Sequence, residues 1–364
     1  MYECFSLVLT VTHACNLRCS YCYAGSKRRR AMGRHVGRTA VERAVRSIRP
    51  GGTLELGFFG GEPLLEAELI LELADYASRA ASQAGVDLQL GMTTNGTLLT
   101  DAAWEVMTLP AMRLTVSHDG LPEVHDRHRR GRDGRGTSAQ VLATICRLLD
   151  APVDLGVNMV VRPETVARLP EGIAWLHEQG VRHFDVALDL WTRWQREDSL
   201  RLQEALALCA DYWYAGLPEL SVSWFDEKAA RLAGLPANPT ARCGFGDGEI
   251  AVAPSGNLYP CERLIGEDTA DNPMQLPGHA LDREDFCRPS APERSADGCA
   301  SCAIQSQCGT TCRCSNYVRT GDIRKPDGLL CALDQILYRE TVRVLRKLPI
   351  AGMRPSSPFS VSSS

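Results

Sequence analysis

Three cysteines near the start of the chain have a spacing that suits an iron–sulfur cluster. Cys15, Cys19 and Cys22 form a C-x3-C-x2-C run. Thiolates spaced this closely hold iron–sulfur clusters, and three of them can wrap one face of a four-iron cube. The fourth iron then has no protein ligand and can chelate a small molecule through an amine and a carboxylate. A zinc site is the alternative, but zinc usually takes four ligands, and the nearest further donor, His13, lies at a predicted strand end.

A second group of cysteines lies in the last third of the chain and is spaced just as regularly. Gly256 precedes Cys261 in a G-x4-C interval, and a C-x2-C-x5-C-x3-C run follows after a gap. The cysteines that form this pattern are Cys243, Cys261, Cys299, Cys302, Cys308, Cys312 and Cys331. The whole chain has 15 cysteines, and such groups in a reducing compartment indicate metal or redox sites before disulfides. Paired C-x2-C spacing alone would also suit a zinc ribbon.

Alternating strand-like and helix-like segments over residues 6–215 must position these groups. Short apolar runs predict strands at 6–12, 53–59, 88–93, 112–117, 153–161 and 183–188. Helical periodicity predicts helices at 37–48, 65–84, 100–108, 138–150, 164–179 and 198–215. Six β-then-α units imply a parallel sheet with right-handed crossovers. Because a full barrel of eight units needs about 250 residues, we expect an α/β fold that is an open, partial (β/α)6 TIM-like barrel.

Unusual residues fall at the ends of four predicted strands. The cysteine triplet follows the first strand, and the later ends carry Gly60, Gly61, Glu62 and Pro63, then Asn95, then Ser117. Ligands gather at the carboxyl ends of parallel strands, so these residues should share one mouth. Glycines let the backbone approach a ligand closely, and a carboxylate pairs with an ammonium. Taken singly, the glycine-rich segment and the Asn-Gly pair are as often only turns.

The cysteine triplet, with the aromatic Tyr21 directly before its last cysteine, resembles the signature of the radical S-adenosylmethionine (SAM) superfamily. The resemblance implies that Cys15, Cys19 and Cys22 hold a catalytic [4Fe-4S] cluster whose open iron binds SAM. Reductive cleavage of SAM would give a 5′-deoxyadenosyl radical that removes hydrogen from an unactivated carbon.

Other residues of the barrel resemble the family's SAM contacts. The resemblance implies that 60–63 grip the amino group of SAM, that Asn95 lies at its rim, and that Ser117 and Arg129 lie near its carboxylate. Arginine offers the two-pronged donor that a carboxylate requires. His118 stands where the family usually has leucine, and its side chain is expected to point into the sheet.

The later cysteines match at every interval the pattern of the SPASM domain, which is named after subtilosin, PQQ, anaerobic sulfatase and mycofactocin maturases. The resemblance implies a small Cys-rich iron–sulfur domain with two auxiliary [4Fe-4S] clusters, which makes three clusters in the chain. Its outer cluster would be held by Cys299, Cys302, Cys308 and Cys331. Its inner cluster would be held by Cys243, Cys261 and Cys312.

The inner cluster has only three evident ligands, because this chain lacks a cysteine that many relatives have between the first two positions. Either an iron is open, where a substrate thiolate could bind, or Cys314, Cys287 or a carboxylate completes the set. Glu262 follows Cys261 directly and stands where sulfatase maturases have an aspartate thought to accept a proton. A surface glutamate paired with Arg263 is the alternative interpretation.

These patterns predict a division of the chain into a barrel over 1–216, a bridge over 217–242 and a Cys-rich domain over 243–349. The Cys-rich domain should fold around metal, because it has few apolar runs with which to build its own core. A helix is expected at 330–347, and the polar tail at 350–364 is expected to be disordered.

Composition excludes several other classes of protein. The net charge of −4 gives no reason to expect nucleic acid as a partner. No run of about 18 apolar residues predicts a membrane span, and no signal-peptide pattern is present, so a cytoplasmic location is expected. The basic segments 27–30 and 127–135 are either a solvated charged face or a docking site for an acidic leader peptide.

The combined features predict an enzyme that crosslinks a ribosomally made peptide through a thioether or carbon–carbon bond. Oxidation of a small-molecule alcohol is one alternative reaction, and formylglycine formation in a sulfatase is another, weakened by the missing inner cysteine. A metal-stapled binding protein is disfavoured by the motifs at the strand ends. The expected partners are a precursor peptide and a flavodoxin- or ferredoxin-type electron donor. A leader peptide would be recognised by the barrel, by the bridge or by a separate leader-binding protein.

Overall fold

The computed structural model describes residues 1–235, 244–287, 299, 301–308 and 312–347. All six predicted strands are present, some of them longer at the N-terminal end. They are β1 (Tyr2–Thr12), β2 (Ile48–Gly60), β3 (Asp87–Thr94), β4 (Met112–Ser117), β5 (Asp154–Val161) and β6 (His183–Leu188). The described residues also form helices α1 (Arg34–Ser47), α2 (Ala67–Ala84), α3 (Asp101–Met107), α4 (Pro122–His128), α5 (Ser138–Leu149), α6 (Leu169–Glu178), α7 (Arg196–Ala215), α8 (Ser223–Leu232), α9 (Arg313–Thr320) and α10 (Gly328–Leu345).

Strands β1 to β6 lie side by side in chain order, and every neighbouring pair is parallel. Alternate side chains of β1, including Phe5, Leu7 and Leu9, are fully buried, as a strand covered by helices requires. Ile70 and Leu73 of α2 are equally buried in the same core. The predicted α/β fold with an open parallel barrel is therefore confirmed, and the carboxyl ends of its strands share one edge.

The sheet continues beyond the six predicted strands at both edges. β7 (Ser221–Val222) pairs with β6, and β8 (Glu249–Val252) pairs in parallel with β1. β9 (Asn257–Tyr259) and β10 (Leu276–His279) then extend the sheet in antiparallel pairs. These strands are two to four residues long, too short to show the alternation that predicts a strand. The Cys-rich region is thus joined to the barrel through backbone hydrogen bonds with β1.

Helices α4, α8 and α9 were not predicted either. Helix α8 lies in the segment expected to be a bridge, and its Lys228 Nζ donates to Asp334 Oδ1 of α10 at 2.9 Å. Both side chains are more than nine-tenths buried, so this ion pair fixes α8 against α10. The predicted helix at 330–347 corresponds to α10, whereas Cys243 and the predicted tail lie outside the described residues. Among the described residues, no helix is both long and apolar enough to cross a membrane.

Candidate active site

The first cysteine triplet lies on the loop that follows β1, at the carboxyl edge of the sheet. Cys15 is 6% exposed, Cys19 is half-buried and Cys22 is exposed. The backbone after α4 pairs with the outer side of this loop, because the Arg18 N–H donates to the carbonyl of Arg130 at 2.8 Å. The loop is therefore held between β1 and the segment that follows α4.

The thiols of the triplet are spread too widely to bind one small ion together. Their three sulfur atoms do not all lie within 4.8 Å of one another. Burial raises the pKa of Cys15 and raises that of Cys19 to about 11. Lys27 Nζ donates to Cys22 Sγ at 2.7 Å and adds a positive charge at the exposed end.

Glu62 lies at the end of β2 and is fully buried. Its Oε1 accepts from the Thr94 hydroxyl at 2.7 Å and the Leu64 N–H at 3.1 Å, and its Oε2 accepts from the Asn95 N–H at 2.8 Å. Burial raises the pKa of this carboxyl, although these hydrogen bonds oppose the shift. The hydrogen bonds of both Glu62 oxygens thus connect the end of β2 to the end of β3. The pairing of the Glu62 carboxylate with a ligand ammonium stays a prediction.

The glycines before Glu62 are required by the loop after β1. A Cβ on Gly61 would lie 2.2 Å from the carbonyl oxygen of Ala14, and one on Gly60 would lie 2.5 Å from that of Thr12. Such distances exclude any side chain, because the obstructing atoms belong to the backbone. The Gly-Gly pair therefore lets the cysteine loop lie directly against the end of β2. This packing requires glycine whether or not a ligand also approaches the pair.

Asn95 lies beside the cysteine loop, as expected for the rim of the site. Its Nδ2 donates to Asn16 Oδ1 at 2.8 Å and lies 3.9 Å from Cys15 Sγ. Its Oδ1 accepts from the Thr97 N–H at 2.9 Å, and Asn16 in turn donates to the Thr97 hydroxyl at 2.8 Å. This ring of amides and hydroxyls fixes the cysteine loop against the end of β3.

A buried acid that the sequence did not single out connects two predicted SAM contacts. Asp119 Oδ2 accepts from the Tyr21 hydroxyl at 2.5 Å and from Arg129 Nε at 3.2 Å. Burial alone would lower the pKa of Arg129, but the charge of Asp119 and the presence of Tyr21 raise it above its usual value. Neither terminal nitrogen of Arg129 has a hydrogen bond within the described part of the chain.

Ser117 and His118 end β4 next to this acid. Ser117 is 6% exposed, and within the described ranges its hydroxyl has no hydrogen-bond partner. His118 is fully buried, its Nε2 lies 3.1 Å from Ser138 Oγ, and its ring centroid lies 4.1 Å from that of His125. Burial lowers the pKa of His118 to about 4, so a neutral imidazole occupies the place where the family usually has leucine.

Cys331, one of the four cysteines predicted to hold the outer cluster, lies in the first turn of α10. Burial raises the pKa of Cys331, and the charges of Cys308, Cys299 and Cys302 raise it further. That these four thiols bind one cluster stays a prediction.

The predicted inner site lies where the turn after β9 meets the start of α9. Cys261 is 5% exposed, and its Sγ lies 3.4 Å from Glu262 Oε2. Ligand atoms of Glu249, Cys261 and Glu262 lie within 4.8 Å of one another. Cys312 Sγ lies 3.3 Å from Cys314 Sγ.

Two aromatic side chains beside the first cysteine loop were missed by sequence reasoning. Tyr23 and Trp191 stack with ring centroids 4.6 Å apart, and Trp191 is 47% exposed. Burial, followed by the charge of Glu262, raises the pKa of Tyr23. Tyr23 directly follows Cys22, so the aromatic pair lies next to the exposed end of the cysteine triplet.

Residues 9–189, about half of the chain, match the family model of the Radical SAM superfamily. The chain belongs to this superfamily, as the cysteine triplet predicted. The match spans β1 to the end of β6, which is the part that carries the site at the strand ends.

Three curated relatives illustrate the range of similarity. An uncharacterized protein of Methanocaldococcus jannaschii is 29% identical over 184 residues, which are 50% of this chain and 62% of that protein. The serine-type anaerobic sulfatase-maturating enzyme of Klebsiella aerogenes is 26% identical over 289 residues, 72% of this chain and 67% of that enzyme. The PqqA peptide cyclase of Gluconobacter oxydans is 25% identical over 347 residues, 90% of each chain. The chain thus spans less than two thirds of the first relative, about two thirds of the second and 90% of the third.

The fold also resembles that of anSMEcpe solved with bound AdoMet and the Kp18Cys peptide. The TM-score is 0.74 at 19% sequence identity, over 94% of this chain and 98% of the other. This likeness concerns the fold, and it extends past the barrel into the Cys-rich region. The predicted architecture of a partial barrel followed by a Cys-rich part is therefore confirmed.

Proposed function

We propose that the protein is a radical SAM maturase that joins two residues of a ribosomally made peptide by a thioether or carbon–carbon bond. The observation that carries this proposal is the convergence of the cysteine loop, Asn95 and the Asp119–Arg129 pair at one edge of the sheet. The similarity to a peptide cyclase over 90% of both chains supports a peptide as the substrate.

The residues at this edge fit SAM and a [4Fe-4S] cluster. Cys15, Cys19 and Cys22 present three thiols from one loop, spread too widely for one small ion. The two terminal nitrogens of Arg129 suit a two-pronged contact with the SAM carboxylate, and Ser117 adds a hydroxyl beside it. When bound, the cluster and SAM supply a 5′-deoxyadenosyl radical that removes a hydrogen atom from the substrate.

The chain's own residues hold and shield this chemistry. Asp119 binds Arg129 through Nε and so aims the free end of the guanidinium. Asn95 and Asn16 hold the cysteine loop against β3, and burial of Cys15 keeps bulk water from that side of the loop. A site closed in this way protects a reactive radical from side reactions.

Formylglycine formation in a sulfatase is the second candidate function. Glu262 directly follows Cys261, and the 3.4 Å between its Oε2 and Cys261 Sγ suits a proton acceptor beside an auxiliary cluster. The 26% identity with a sulfatase-maturating enzyme over 72% of this chain favours the same reaction. In that case Glu262 would accept the proton lost as the aldehyde forms.

Anaerobic reconstitution with iron and sulfide, followed by SAM and dithionite, tests the shared first step through release of 5′-deoxyadenosine. A peptide library that carries cysteine and serine at varied spacing then serves as substrate. A crosslinked peptide loses two hydrogen atoms and gives no fragments between the joined residues in tandem mass spectrometry. A formylglycine peptide instead forms an oxime with hydroxylamine.

Variants separate the two reactions. Glu262→Gln should abolish oxime-reactive product while SAM cleavage continues, and Glu284→Gln, at an exposed acid of the same Cys-rich region, should change neither. Failure of fully iron-loaded protein to release 5′-deoxyadenosine would refute the SAM site. Cleavage of SAM with oxidation of a small alcohol but of no peptide would refute the maturase proposal.

A further inference from the structure

Three thiols meet at the inner site, and one of them lies outside the seven-cysteine pattern. Cys314 is 2% exposed, and its Sγ lies 3.3 Å from Cys312 Sγ. It packs with Cys261 and Cys312 in one apolar cluster that also includes Leu264 and Phe245. Cys314 therefore lies beside both predicted ligands, where a further ligand would be needed.

The start of α9 explains how two neighbouring cysteines reach one place. Cys312 is the N-cap residue of this helix, and Cys314 lies in its first turn. The Ser315 hydroxyl donates to Cys312 Sγ at 3.1 Å, which supports a thiolate at that position. The free N–H groups of a helix start also favour negative charge, such as that of a thiolate-bound cluster.

The other candidate ligands are placed less well. Cys287 is exposed, and its Sγ lies 3.7 Å from the carbonyl oxygen of Ser47, which directly precedes β2. Glu249 Oε2 accepts from the Gly244 N–H at 2.9 Å, which gives this carboxylate a role in the loop itself. A thiolate is also the softer donor, and soft donors suit iron–sulfur clusters.

We propose that Cys314 is a ligand of the inner auxiliary iron–sulfur cluster, together with Cys261 and Cys312. This inference rests on the proposed function, since it assumes that the Cys-rich region holds auxiliary clusters. In this assignment, Cys314 at the start of α9 takes the role of the cysteine that many relatives have between the positions of Cys243 and Cys261.

The test uses anaerobically reconstituted full-length protein and measures iron, sulfide and the electron paramagnetic resonance (EPR) spectrum. Cys314→Ala should lower the iron content by about one third, the share of one cluster among three. Cys314→Ser should keep more of the iron but shift the EPR signal, because a serine oxygen can replace the sulfur as a ligand. Cys287→Ser and Glu249→Gln are the matched controls, and both should match wild type.

The proposal would be overturned if both Cys314 variants had the iron content and EPR spectrum of wild type. It would also be overturned if Glu249→Gln lost iron and the Cys314 variants did not. The SAM-dependent change in the EPR signal of the catalytic cluster shows that a variant is folded. Failure of the proposed function would be visible separately, as wild-type protein with all clusters that modifies no peptide. Wild-type protein with iron for a single cluster would overturn the Cys314 assignment itself.

Discussion

Replacement of Asp119 by asparagine should destabilise the protein strongly, because it leaves a buried cation without its counter-charge. The side chains of Asp119 and Arg129 are 1% and 7% exposed, so water cannot take the place of the lost charge. Removal of one partner of a buried pair typically costs about 3–5 kcal/mol. Asparagine keeps one oxygen for the Tyr21 hydroxyl or the Val160 N–H, so we expect a loss of about 3 kcal/mol in the free energy of unfolding.

The assay is urea unfolding of anaerobically purified protein, followed by tryptophan fluorescence. Asp133→Asn is the matched control, because Asp133 and its partner Arg135 are 60% and 88% exposed and lie 3.7 Å apart. Loss of this exposed pair should change the free energy of unfolding by less than about 0.5 kcal/mol.

A double variant tests the cause of the effect. If the unpaired charge is responsible, Arg129→Met in the Asp119→Asn background should cost less than the sum of the two single changes. A change for Asp119→Asn as small as that of the control, or strict additivity in the double variant, would refute the reasoning. Either result would mean that water or another group already compensates Arg129.

Three further predictions concern other buried groups. The pKa of His118 falls from 6.5 to about 4 through burial, which corresponds to about 3 kcal/mol. The native state then binds fewer protons than the unfolded state, so the free energy of unfolding should decrease as the pH falls from 6.5 towards 4. Urea unfolding at several pH values measures this decrease, which should be smaller in His118→Gln than in wild type. Arg129→Lys should weaken SAM binding by about tenfold to a hundredfold in anaerobic calorimetry, because the two-pronged donor is lost, whereas the exposed Arg130→Lys should leave it unchanged. Lys228→Met should lower the free energy of unfolding by about 3–5 kcal/mol, because it removes the positive charge that pairs with the buried Asp334. Lys347→Met is the control at a half-exposed lysine, and it should lower the free energy of unfolding by less than about 0.5 kcal/mol.

The barrel and the place of the site could be predicted because long elements leave strong patterns. Each of the six inner strands has at least six residues, enough for apolar runs to be visible between helical segments. The rule that parallel strands present their carboxyl ends at one edge then brings Asn95 and Ser117 towards the cysteine loop. The positions of both residues could be predicted without knowledge of any side-chain contact.

The rest depended on contacts between residues far apart in the chain. Asp119 directly follows His118 in the sequence, but only the fold shows that it binds Tyr21 and Arg129. The role of Gly61 was likewise assigned to ligand approach, whereas the structure shows that the Ala14 carbonyl already excludes a side chain. The strands β7 to β10 carry too few residues for a periodic signal, so their pairing with the barrel could not be predicted.

The attachment of the Cys-rich region to the barrel gives the two cysteine sites a fixed relation. β8 pairs with β1, the strand that leads directly into the first cysteine loop. Asp268, which follows this hairpin, lies 3.2 Å from Arg30 and 3.5 Å from His13, while Glu267 accepts from the Ser26 N–H at 2.7 Å. The residues on both sides of the first loop are therefore bound to the segment that follows Cys261. These contacts bind the Cys-rich region to the first cysteine loop, so this region packs as part of the same folded unit and not as an appended module.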